Sequence, residues 1–178
     1  MRLQETLAET IPIALAVSTE KARSELIISS VLVEARRHFA GQVSLFSGVD
    51  FTVEPEIGLG GTCDFLFSLS PLQLVVQAPA IAIVEAKNGN LKNGMGQCMA
   101  EMLAAQRFNE RRGLLLSVIY GIVTSGSAWK FMSLQSTMVT VDETEYYIGQ
   151  LDTILGILVF MVREGLEQQA KQQQGETR

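Results

Sequence analysis

The chain has 178 residues, enough for one domain with a full-sized core, and 47% apolar against 19% charged residues excludes a disordered chain. With 14 basic and 19 acidic residues the net charge is −5, which speaks against a protein that grips duplex nucleic acid along a broad basic face. No run reaches the roughly 18–20 apolar residues of a membrane-spanning helix. Residues 11–17 are too few and include Pro12, and the apolar run 151–162 is short and holds Asp152 near its start. No secretory signal is legible at the N-terminus. Cys63 and Cys98 read as reduced thiols, so a cytoplasmic location without a membrane is expected.

The first element the pattern supports is a helix over 19–39, with Ser18 or Thr19 as N-cap and Gly41 as its stop. Ile28, Val31, Leu32, Ala35 and Phe39 recur at spacings of three and four and form its apolar stripe. Three strands follow, over 43–53, 62–69 and 80–87. The continuous run Ile81-Ala82-Ile83-Val84 predicts a strand covered on both faces. Asn88-Gly89 and Asn93-Gly94 mark a polar loop. A helix over 95–109 then buries Cys98, Met99, Met102 and Leu103.

Strands are expected over 116–124 and 129–134, joined by Ser125-Gly126-Ser127, with a short one over 138–141. A helix over 149–169 follows, and the Gln-rich tail 170–178 is expected to fray. No repeat or linker divides the chain, so 1–178 reads as a single domain with its core over about 19–134. The order α-β-β-β-α-β predicts an α/β fold, a central mixed sheet flanked by helices with an extra C-terminal helix. Ile154, Leu155, Ile157, Leu158, Val159, Phe160, Met161 and Val162 cover almost the whole circumference of that last helix. A two-fold homodimer through it is therefore expected.

Three polar residues stand out on these elements. Asp64 lies within the second strand, and Glu85 and Lys87 end the third. Residues two apart on a strand share a face, so Glu85 and Lys87 project together. Charges on a buried strand are paired or hold a metal. Two carboxylates on adjacent strands suit a hard cation such as Mg²⁺ or Mn²⁺, which activates water and stabilises charge on a phosphate, with a lysine to assist. The plain alternative is a structural ion pair at the rim of the sheet.

Around the trio lie Gly61-Thr62-Cys63-Asp64-Phe65-Leu66, Ile83-Val84-Glu85-Ala86-Lys87, Gly96-Gln97 opening a helix, Tyr120-Gly121-Ile122-Val123-Thr124-Ser125-Gly126 and Trp129-Lys130-Phe131. This arrangement resembles the PD-(D/E)XK nuclease superfamily and is similar to the nuclease domain of type I restriction subunits, over roughly residues 19–134. The resemblance implies a restriction endonuclease-like αβββαβ core and metal-dependent hydrolysis of nucleic acid, DNA first. It implies metal ligation by Asp64, Glu85 and the main-chain carbonyl of Ala86. Cys63 stands where the family often has proline. Members often add a glutamate from the first helix. Periodicity favours Glu25, which flanks the apolar stripe, over Glu20 and Glu34, which are expected to point away.

Gln97 matches a glutamine that members place near the metal, and it shares a helix face with Glu101. His38, the sole histidine, reads as a helix-surface residue, and a turn is the better reading of Gly58-Leu59-Gly60-Gly61. Lys92 and Lys130 are candidates for phosphate contact. The reading from a different class is a nuclease-like fold that binds or assembles without catalysis, which the acidic charge favours.

Overall fold

A computed structural model describes residues 2–176. The chain opens with a helix the pattern did not announce, α1 (Arg2–Val17), which carries Pro12 and buries only Leu7 and Ala14. Thr19 then caps the next helix, its hydroxyl accepting from the Ala22 N–H at 3.1 Å. This helix is three joined pieces: α2 (Glu20–Arg23), a π-helical turn (Ser24–Ile28) and α3 (Ser29–Arg37). In the π turn the Ser29 N–H bonds back to the carbonyl of Ser24. The Ser29 hydroxyl donates to the Glu25 carbonyl at 2.5 Å, supplying a bond that the ladder omits. Ile28, Val31, Leu32, Ala35 and Phe39 are buried, as the stripe required, and Ile27 is buried with them.

The sheet runs β1 (Ser44–Asp50), β2 (Thr62–Ser68), β3 (Ala80–Ala86), β4 (Ile119–Thr124), β5 (Ala128–Gln135) and β6 (Met138–Val141) in that spatial order. A two-residue strand, β7 (Tyr146–Tyr147), also pairs with β5. Among the described residues only β3 and β4 pair in parallel, and α4 (Lys92–Glu110) makes the crossover between them. All seven residues of β3 are buried, as its unbroken apolar run requires. Residues 54–59 form a turn closed by reciprocal hydrogen bonds between Glu54 and Leu59, which takes in only Gly58 and Leu59 of the turn expected over Gly58-Leu59-Gly60-Gly61.

Two details fasten α4 to the sheet. A methyl group at Gly121 of β4 would overlap the sulfur of Met102, so α4 lies close because that position has no side chain. At its far end the Asn109 amide exchanges two 2.8 Å hydrogen bonds with the backbone of Ala80.

The last helix, α5 (Leu151–Glu176), buries Ile154, Leu158, Met161 and Val162. Gly165 lets it close onto Ile81 and Leu69. Contacts with α3 and β3 thus account for much of its apolar surface, while Phe160 remains 59% exposed. The helix runs past residue 169, through Gln-rich sequence in which fraying was expected. Gln168 accepts from the Ser117 N–H at 2.8 Å, and Gln172 donates to the Leu115 carbonyl. Those glutamines anchor the segment before β4, a role composition does not reveal. Residues 177–178 of the tail lie outside the described residues. The architecture is the expected α/β class: a mixed sheet flanked by helices, with a C-terminal helix. Among the described residues, no helix is long and apolar enough to cross a membrane.

Candidate active site

The site lies where β2 and β3 part. Their antiparallel register runs from Ser68↔Ala80 to Phe65↔Val84 and then stops. Just beyond, the Asp64 carboxylate accepts from the Ala86 N–H at 2.8 Å, standing in for the missing ladder partner. Next to Ala86, Glu85 is 1% exposed, and one of its oxygens takes an ion pair from the Lys87 ammonium. Its other oxygen, Oε2, is buried without a hydrogen-bond partner. Glu85 and Lys87 therefore do share a face, as strand alternation predicted. Gly94, in the first turn of α4, makes room for Lys87. A Cβ there would lie 2.8 Å from Lys87 Cγ and 2.9 Å from Val123 Cγ1.

Burial pushes the Glu85 carboxyl up to about 7; the Lys87 hydrogen bond opposes that rise, and the charges of Asp64 and Glu101 add to it. Burial alone would lower the Lys87 ammonium, but its bond to Glu85 and the surrounding carboxylates leave it raised. Glu101, on α4, is raised chiefly by burial, with the charge of Asp64 adding; the hydrogen bonds from Gln97 and from the Cys63 thiol oppose. Its Oε1 accepts from Gln97 Nε2 at 3.1 Å, and its Oε2 is buried. Burial likewise raises both thiols, Cys63 and Cys98, which makes them poor nucleophiles.

Glu101 was not among the expected site residues. Its only signal was the i, i+4 spacing from Gln97, on a face that looked equally fit for solvent. Gln97 on that face is exposed, and only Glu101, one turn on, is half-buried.

In front of Asp64 opens a cleft of about 290 Å³, bordered by Ala86, Gly48, Ser24, Glu20 and Glu25. Glu25 reaches this cleft as expected; it is 60% exposed and ion-paired to Lys21 at 2.8 Å. Glu20 borders it too, against expectation, and accepts from the Asn88 N–H at 3.2 Å. The π turn explains this correction: one extra residue per turn breaks the 3.6-residue phase between α2 and α3. Glu34 does point away, to Arg37. Gln97 is exposed and meets the site only through Glu101, and His38 is on the surface. Lys130 donates to the backbone carbonyls of Glu143 and Thr144, whereas Lys92 is exposed in the first turn of α4.

Among the described residues, no three His, Cys, Asp or Glu side chains stand close enough together to enclose a metal. The donor chemistry nevertheless fits a hard divalent cation. Asp64 and the backbone of Ala86 border the open cleft, and Glu85 Oε2 is a carboxylate oxygen with no partner. Compared with protein-family models, with curated proteins and with solved structures, the chain matches none.

Proposed function

We propose that this chain is a Mg²⁺- or Mn²⁺-dependent phosphodiesterase of the PD-(D/E)XK type, with a restriction endonuclease-like core, acting on nucleic acid and on DNA first. The observation that carries the reading is the succession at the strand split: Asp64 bonded to the backbone of Ala86, with Glu85 and Lys87 on either side of that residue. Asp64, Glu85 and the Ala86 carbonyl are the groups that would hold the cation. When bound, it supplies a polarised phosphate oxygen and a water of lowered pKa. Lys87 keeps a positive charge beside the reacting phosphate, where negative charge develops. Glu25 borders the substrate cleft and Gln97 supports from α4.

A cleavage assay with Mg²⁺ or Mn²⁺ on single- and double-stranded DNA and RNA tests this. Asp64→Ala and Lys87→Ala should abolish cleavage while circular dichroism stays that of a folded chain; full activity in both variants would sink the assignment.

One observation favours a second reading, a catalytically silent binding or assembly module. Lys87 is already paired with Glu85, which a purely structural ion pair also explains. Such a module has no reason to bind Mn²⁺, so a titration separates the two. A homodimer through α5 rests on exposed Phe160; a monomeric mass by light scattering at micromolar concentration would count against it. Two buried free thiols suit a reducing compartment such as the cytoplasm.

A further inference from the structure

We propose that the groove between α5 and the β4–β5–β6 side of the sheet binds a small hydrophobic cation, an organic ammonium with an aromatic or alkyl body. The groove shares no residue with the Asp64 cleft and stands apart from the metal-dependent reading above.

The first support is shape. The groove has a volume of about 270 Å³, and Tyr120, Phe131, Met132, Tyr146, Phe160 and Met161 border it. Tyr120, Phe131, Met132 and Met161 are buried, so packing holds them in place, whereas Phe160 is 59% exposed. Phe131 and Tyr146 pack edge-on at 5.5 Å, which fixes both rings. Sites for drug-sized ligands measure roughly 300–1,000 Å³ and are mostly apolar with a few placed polar groups. This groove suits a smaller ligand of the same kind.

The second support is charge. Both tyrosine hydroxyls donate to carboxylates, Tyr146 to Asp142 at 3.1 Å and Tyr120 to Glu164. Asp142 itself borders the groove, and the other polar side chains there, Ser133 and Thr140, are neutral. Among the described residues no lysine or arginine borders the groove, and neither Asp142 nor Glu164 is in an ion pair. Lys130, on β5, gives its ammonium to the carbonyls of Glu143 and Thr144 instead. Aromatic rings beside a carboxylate without a counter-ion make the groove electronegative. A cation is drawn both by the ring faces and by the carboxylate, whereas a neutral ligand gains only apolar contact and an anion is repelled. Phe160 also carries the homodimer reading, so a second copy of the chain is the rival occupant.

The test is titration of the isotope-labelled full chain with benzyltrimethylammonium chloride, followed by amide chemical shifts in nuclear magnetic resonance. Benzyl alcohol is the neutral probe and phenylacetate the anionic one. The cation should shift the amides of Tyr120, Phe131, Met132 and Tyr146 saturably, with a Kd of about 1 mM, and bind more tightly than either other probe. Asp142→Asn, which keeps an acceptor for Tyr146, should weaken it about fivefold or more. Phe160→Ala should weaken it about twofold to fivefold, and Glu34→Gln, on α3, should match wild type. Benzyl alcohol or phenylacetate binding as tightly as the cation, or wild-type affinity in Asp142→Asn, overturns the proposal. So does the absence of a saturable shift at these amides. If that absence comes with a dimeric mass by light scattering that Phe160→Ala returns to monomer, the groove belongs to a second copy.

Discussion

The Asp64 carboxylate accepts the backbone N–H of Ala86 at 2.8 Å, across the point where β2 and β3 cease to pair. One side chain thus closes the sheet and borders the cleft, so its structural and chemical roles can be separated by substitution. Asp64→Asn keeps an acceptor for Ala86 and should leave stability within about 1 kcal/mol of wild type; Asp64→Ala strands that N–H and should cost about 1–3 kcal/mol. Both should lose cleavage activity. Urea denaturation beside the cleavage assay checks this, and activity retained in Asp64→Asn would contradict the chemical role.

Glu85 makes stability depend on pH. Its carboxyl titrates near 7 in the folded chain against an ordinary 4.5, so the folded state prefers the protonated form. The preference is fully present below about 4.5 and is lost as pH rises through about 7. Across that window the wild type should lose roughly 3 kcal/mol from this group alone, at about 1.4 kcal/mol for each tenfold fall in proton activity. Glu85→Gln cannot ionise. In chelator its stability relative to wild type should be greater at pH 8 than at pH 5, as thermal melts would show. An equal difference at both values would mean that Glu85 is not held in this environment.

Two glycines of α4 should respond in opposite senses to alanine. At Gly94 the new Cβ meets Lys87 and Val123, whereas at Gly96 nothing lies within 4 Å. Gly96→Ala should stabilise by up to about 1 kcal/mol through helix propensity. Gly94→Ala gains the same propensity but must displace packed neighbours, so a net loss of about 1–2 kcal/mol is expected. It should also reduce activity by shifting Lys87. Denaturant midpoints of the two variants are the measurement; similar shifts at both would show that α4 does not press on Lys87.

The parts of this molecule that sequence discloses are those where side-chain chemistry repeats with the backbone period. Ile81-Ala82-Ile83-Val84 announced a doubly covered strand, Ser18-Thr19 announced a cap that Thr19 supplies, and alternation put Glu85 with Lys87. What escaped lacks such a period or breaks it. α1 buries only Leu7 and Ala14, with Leu3 and Ile11 half-buried beside them, and the proline next to Ile11 masks that short stripe. The π turn has no compositional mark, yet it shifts the helix phase and brings Glu20 to the cleft with Glu25. Glu101 depends on its neighbours Asp64 and Cys63 on β2, and Gln168 and Gln172 on backbone groups some fifty residues away. These are tertiary facts, and no local pattern encodes them.

Whether the strand split holds a catalytic cation is decided by a crystal of the chain soaked in Mn²⁺, with anomalous density sought beside Asp64, Glu85 and the Ala86 carbonyl. The expected result is an ion bound by these groups, with Lys87 released from Glu85. An empty site in saturating Mn²⁺, with Lys87 still paired to Glu85, would contradict the metal-dependent reading.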